Sequence, residues 1–143
     1  ESLFNMSKGS DRNLLRVLHY PPVEGEVEQG AIRAAAHEDI NLITLLVSGS
    51  QPGLEAMDMN GVWHKVPVDK GMITVNVGDM LQMASNKYFP STSHRVVNPE
   101  NSKQNVSRFS LPMFMHPRNE VILNSGITAY DYLQERLKEI NLK

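Results

Sequence analysis

The tripeptide His37-Glu38-Asp39 sets an imidazole and a carboxylate two positions apart. On a strand, residues two apart share a face and the residue between them points away. His37 and Asp39 then project together, and Glu38 does not. The chain has five histidines, His19, His37, His64, His94 and His116. His94 lies in another strand-like run, Thr92 to Val97, and completes a triad if the sheet closes on itself. Two imidazoles and one carboxylate on one side of a cation leave neighbouring positions open. That suits Fe(II) that must take both a co-substrate and O2, whereas a closed four-ligand set suits structural zinc. Alone, H-x-D with a distant histidine is a weak signal. A surface His-Glu-Asp at a strand edge, with His94 in an unrelated hydrogen bond, fits the same residues.

The second chemical feature is Ser107-Arg108-Phe109-Ser110. On a strand Arg108 and Ser110 share a face. Arg108 offers a planar fork for a carboxylate and Ser110 adds a hydroxyl donor. The pair could hold the far carboxylate of a small diacid whose other end chelates the metal. An ordinary surface arginine beside a serine is the plainer alternative. The order H-x-D, His, R-x-S along one chain is far more specific than either half.

The elements that must position these residues are short. Asn13 to Tyr20 reads as a strand stopped by Pro21-Pro22. Residues 23–30 are acidic, with two glycines, and read as a loop. Residues 31–39 and 41–48 read as strands, broken by Gly49, Pro52 and Gly53. Leu54–Met59 and Val62–Val66 flank Asn60-Gly61, the signal for a tight hairpin. Met72–Val77, Met80–Ala84, Ser93–Val97 and Val106–Met115 are further strand candidates, with Asn76, Gly78 and Asp79 read as a structural turn in which glycine permits an unusual backbone angle. Only the tail has helical spacing, in Tyr130, Leu133, Leu137 and Ile140. Thr128 with Asp131 resembles a capping box, and Lys138 and Lys143 suit the helix C-terminus. Many short strands followed by one helix predict a mainly β sandwich or barrel.

Composition narrows the function. The 143 residues fit one domain, 41% of them apolar, with a formal net charge of −2. Nothing resembles a basic nucleic-acid footprint, and no apolar run is long enough to cross a membrane. No cysteine is present, which excludes disulfides, thiolate metal sites and a cysteine nucleophile. The expectation is a cytoplasmic protein acting on a small molecule, with no nucleic-acid or membrane partner and an oligomeric state the sequence leaves open. The chain starts at Glu1 and enters a strand-like segment almost at once, so residues 1–143 are expected to be the catalytic C-terminal part of a longer protein.

With these residues in view, the chain resembles the C-terminal half of the 2-oxoglutarate/Fe(II) oxygenases of the isopenicillin N synthase-like group, nearest to bacterial members. The resemblance rests on RVLHYPP (16–22), HEDINLITLLVSG (37–49), GLEAMDMNGVWHKVP (53–67), ITVNVGDMLQMASN (73–86), STSHRVVNP (91–99), SRFSLPMFM (107–115) and the tail TAYDYLQERLKEI (128–140). It implies a distorted double-stranded β-helix, a cupin-like jelly roll, closed by a C-terminal α-helix. It implies His37, Asp39 and His94 as Fe(II) ligands, 2-oxoglutarate and O2 as co-substrates, and Arg108 and Ser110 on the distal carboxylate of 2-oxoglutarate. Tyr20 matches a tyrosine that reaches the co-substrate or the substrate in relatives. Plant relatives usually carry asparagine where Leu18 stands here, so the resemblance implies no co-substrate contact at that position. Isopenicillin N synthase shares R-x-S without using 2-oxoglutarate, and another relative uses ascorbate.

Three readings stand side by side: a 2-oxoglutarate-dependent oxygenase or an isopenicillin N synthase-like oxidase, a non-catalytic jelly-roll binding module, and a zinc hydrolase. The last needs a general base beside a metal-bound water. Glu38 is the only adjacent candidate, and alternation turns it away. Thr44, Leu46, Pro112 and Phe114 could line a substrate cavity, although core packing is the plainer role for Thr44 and Leu46. Trp63, the methionines and His19, His64 and His116 read as packing or hydrogen-bonded residues.

Overall fold

The computed structural model describes residues 2–25, 30–47, 49, 51–100, 103, 105–124 and 126–140. Residues 26–29 of the acidic loop, Ser48 and Lys143 lie outside the described residues. In chain order the elements are α1 (Leu3–Ser7), β1 (Leu14–Leu15), β2 (Leu18–Tyr20), β3 (Ala34–His37), β4 (Ile43–Val47), β5 (Leu54–Met57), β6 (Trp63–Lys65), β7 (Ile73–Val77), α2 (Asp79–Ala84), β8 (His94–Val96), β9 (Arg108–Ser110), β10 (Pro112–Met115), β11 (Ile122–Asn124), β12 (Ile127–Thr128) and α3 (Ala129–Glu139).

One sheet has the order β1-β10-β4-β7 and another β3-β8-β5-β6, with β2-β9 and β11-β12 as separate pairs. All pairings are antiparallel. This is the mainly β double-stranded β-helix expected from the sequence, with its C-terminal helix. On β4 the residues alternate as a strand must. Thr44 and Leu46 pair with Asn76 and Thr74 of β7 and face a cavity, while Leu45 and Val47 pair with Val75 and Ile73 on the opposite face.

The fully packed core is not between the sheets. Met6, Leu42, Met80, Val121, Leu123 and Ala129 cluster where α1, α2, β11 and α3 meet one end of the barrel. Thr128 caps α3 by accepting the Asp131 N–H at 3.1 Å, and its hydroxyl donates to the Asp131 carboxylate at 2.6 Å. Among the described residues no helix is long and apolar enough to cross a membrane.

Several boundaries differ from expectation. The strand expected over 31–39 is confined to Ala34–His37, so Asp39 sits in the following turn. Asn13–Tyr20 is two strands, and so is the run that ends at Met115. Yet the register runs unbroken, from Leu14 opposite Phe114 to Tyr20 opposite Arg108. The hairpin after β5 is not a two-residue turn. Met57 pairs with Trp63, and Asp58 braces the longer loop by accepting the N–H groups of Asn60 and Val62. Met80–Ala84 is helix, not strand. A short apolar run does not declare its period, and Met, Leu, Gln and Ala all favour helix. The tail is also not the only helix, since α1 precedes it.

Candidate metal centre

β3 and β8 pair so that His37 lies directly opposite His94. Their rings are 4.4 Å apart, tilted by 53°. Asp39 reaches the same point from the turn after β3. One ligand atom from each of His37, Asp39 and His94 lies within 4.8 Å of the other two. Among the described residues this is the only such group of three or more His, Cys, Asp or Glu.

Hydrogen bonds prepare these side chains for a cation. His37 Nδ1 lies 2.8 Å from the carbonyl of Ala35, and His94 Nδ1 lies 2.9 Å from that of Thr92. A carbonyl only accepts, so each Nδ1 carries the proton and each neutral ring keeps its Nε2 lone pair free. Asp39 is 7% exposed. Its Oδ2 accepts from the Thr44 hydroxyl at 2.5 Å and from Asn76 Nδ2 at 2.9 Å. Asn41 donates to the Thr44 oxygen at 2.9 Å, which turns the hydroxyl proton towards Asp39. Oδ1 has no such bond and lies 3.8 Å from His94 Nε2. Two imidazole lone pairs and one carboxylate oxygen, each locked by an outer partner, fit a divalent cation with open positions. Glu38 faces Asp79 on the other side, and its carboxyl is pushed up by burial and then by the Asp79 charge.

The turn that carries Asp39 is fixed by Gly78. Its φ of −106° is ordinary, so the expected unusual angle is not why glycine stands there. A Cβ at Gly78 would lie 2.3 Å from the Asn41 carbonyl oxygen and 2.8 Å from that of Asp39. Gly78 N–H donates to Leu42 O, and Asp79 N–H to Asp39 O at 2.7 Å. Asn76, Gly78 and Asp79, expected to be a structural turn only, thus hold the Asp39 segment directly.

His37, Asp39 and His94 open onto a cavity of about 370 Å³. Tyr20, Thr44, Leu46, Ser110, Pro112 and Phe114 line it. Thr44 has a second role that its pocket position hides, since it also orients Asp39. Arg108 lines a smaller adjoining cavity that shares Ser110, Leu46 and Thr74. Its Nη1 donates to the carbonyls of Gln51 and Pro52, and its guanidinium lies 5.0 Å from the Tyr20 ring centroid. Burial, helped by the charge of Arg33, pulls its pKa down. Its buried Nε has no partner. Among the described residues no carboxylate pairs with it. A half-buried cation without a counter-ion is a site for an anion.

A family profile described as the 2OG-Fe(II) oxygenase superfamily matches residues 12–117. The chain belongs to the 2OG-Fe(II) oxygenase superfamily. It is 35% identical to the 2-oxoglutarate-Fe(II) type oxidoreductase ppzD of Metarhizium rileyi, over 86% of this chain and 40% of the relative. A crystal structure of a Shewanella oneidensis protein described as an oxygenase is 55% identical, with a TM-score of 0.85, covering 97% of this chain and 51% of that one. A full-length Neurospora crassa protein, crystallised with alpha-KG and thymine, is 32% identical with a TM-score of 0.88, covering 96% and 46%. The chain thus spans about half the length of these relatives or less.

The remaining histidines are not part of the triad. His19 bonds Ser107 at 2.8 Å and stacks on Phe109, His64 bonds Asp58 at 2.8 Å, and burial lowers the pKa of His116. Arg95, opposite Glu55 and paired with it at 2.8 Å, covers the Trp63 ring. Sequence reasoning missed Asn41 and Asn76 as partners of the Asp39 network, and Arg16 and Arg33 as cavity residues. The only available signal was the even spacing of Arg16, Leu18 and Tyr20.

Proposed function

We propose that residues 1–143 form the catalytic core of a longer non-haem Fe(II) oxygenase. It couples oxidative decarboxylation of 2-oxoglutarate by O2 to oxidation of a small organic substrate. The observation that carries this reading is the convergence of His37, Asp39 and His94 on a cavity that shares its wall with that of the half-buried Arg108, which has no carboxylate partner among the described residues. His37 Nε2, His94 Nε2 and Asp39 Oδ1 would hold Fe(II). When bound, that metal supplies O2 activation and substrate oxidation.

The rest is the work of this chain. The Ala35 and Thr92 carbonyls hold the two imidazoles in the metal-binding tautomer. Thr44 and Asn76 fix Asp39 so that one oxygen faces the cation. Arg108 and Ser110 receive the distal carboxylate of 2-oxoglutarate, with Tyr20 stacked against the guanidinium. Leu46, Leu54, Val66, Val96, Pro112 and Phe114 make the cavity walls apolar, which keeps water from the reacting groups. The Neurospora crassa relative, crystallised with alpha-KG and thymine, supports a small molecule as the second substrate.

The test is succinate formation by the full-length protein, given Fe(II), 2-oxoglutarate and air. Succinate that depends on both additions is expected. Arg108→Gln should raise the KM for 2-oxoglutarate by roughly tenfold or more while Fe(II) affinity stays within about twofold. No succinate from the folded wild type, or equal loss of both affinities in the variant, contradicts the reading.

A further inference from the structure

We propose that Arg16 receives an anionic group of the primary substrate, so that the pocket takes a small, largely apolar carboxylate; this rests on the oxygenase reading above. The unbroken ribbon of β1 and β2 against β10 and β9 turns one face inward. Arg16, Leu18 and Tyr20 from one side and Ser110, Pro112 and Phe114 from the other all line the large cavity. Arg16 N–H donates to Pro112 O at 3.0 Å, which seats Arg16 opposite Pro112, just as Tyr20 sits opposite Arg108. Arg16 and Tyr20 are thus about 13 Å apart along the strand direction at ~3.3 Å per residue. A five-carbon diacid has one distal carboxylate to give, and Arg108 takes it. Arg16 is a second cation on the same face, and the co-substrate leaves it unserved.

Arg16 also sits on the metal side of the cavity. Its guanidinium lies 5.4 Å from the Phe114 ring centroid. Phe114 pairs with Thr44, which bonds Asp39. Among the described residues Asp39 is the only acid lining the cavity, and its Oδ2 is already committed to Thr44 and Asn76. Among the described residues Arg16 has no ion pair. The cation–π contact with Phe114 draws the guanidinium to the cavity wall, and its N–H groups can give a two-pronged bond to a carboxylate. Leu18, Leu46, Ala56 and Val96 supply the apolar remainder of the wall.

The probes are 3-phenylpropanoate and its neutral isostere 3-phenylpropanamide, titrated by calorimetry into the full-length protein under nitrogen, with Fe(II) present and 2-oxoglutarate saturating. The acid should bind about tenfold more tightly than the amide, the effect of a charge-assisted bond. Arg16→Gln should abolish that preference with 2-oxoglutarate affinity unchanged within about twofold, and Arg16→Lys should keep part of it. Equal binding of acid and amide by the wild type, or a preference that survives in a folded Arg16→Gln, overturns the proposal. The 2-oxoglutarate titration that precedes the probes separates the two claims. Absent uptake there overturns the oxygenase reading and this proposal with it; normal uptake without acid preference overturns the role of Arg16 alone.

Discussion

The two ends of strand β4 are built for opposite purposes. Just before its first residue, Leu42 is fully buried among Met6, Met80, Val121, Leu123 and Ala129. Four residues on, Leu46 faces a cavity of about 370 Å³. The closest packing lies at the helical end, where α2 and the Asn76–Asp79 segment grip the turn of Asp39. The space between the sheets stays open. The candidate triad thus has a rigid backing on one side and free volume on the other. That division is what a site needs when its side chains must hold still while small molecules come and go.

The comparison breaks or holds on paired substitutions. Leu42→Ala should be the most damaging, costing about 4 kcal/mol in a urea denaturation because the closed core cannot collapse around the void. Leu46→Ala, which only enlarges an existing space, should cost about 1 kcal/mol. Equal costs would erase the distinction between the two ends. Gly78→Ala should cost about 3 kcal/mol and also weaken Fe(II) binding, since the new methyl meets backbone oxygens that cannot swing aside.

Next comes Thr44→Val, which keeps the shape but removes the hydroxyl between Asn41 and Asp39. It should cost about 1–2 kcal/mol and reduce Fe(II) affinity by roughly 10–100-fold, read by equilibrium dialysis. Unchanged Fe(II) affinity would remove Thr44 from the support of Asp39.

The smallest effect lies far from both ends, in the loop between β5 and β6. The bond from His64 holds the Asp58 carboxyl below its ordinary value of 3.8. A carboxyl whose pKa falls on folding stabilises above its unfolded pKa and loses that contribution as pH falls through the folded value. His64→Gln should therefore lower stability slightly near neutral pH, and the difference from the wild type should vanish as pH falls through the folded value. A variant as stable as the wild type in urea near neutral pH would show that the pair contributes nothing.

The residues of the candidate metal triad stand out in the sequence because their signal is local. His-x-Asp declares two side chains at a strand end, and His94 sits in a run of its own. Arg108 and Ser110 stand out for the same reason, and they lie as an alternating pair on strand β9. What supports them does not stand out. Asn76 touches Asp39 across 37 positions of chain, and nothing in its own neighbourhood announces the contact. Gly78 looked like a turn glycine, but its need is for close approach, which only the partner backbone reveals. Met80–Ala84 misled because helix α2 buries two of its faces, so the apolar run carries no clear period. The strand breaks at Arg16-Val17 and at Leu111 were hidden as well, because the ribbon keeps its register through them.

Anaerobic equilibrium dialysis with Fe(II) speaks most directly to the centre of the account. One Fe(II) per chain is expected for the full-length wild type, and essentially none for His94→Ala or Asp39→Ala when both fold normally by circular dichroism. A folded double variant of these residues that still retains one equivalent would contradict the assignment of the triad.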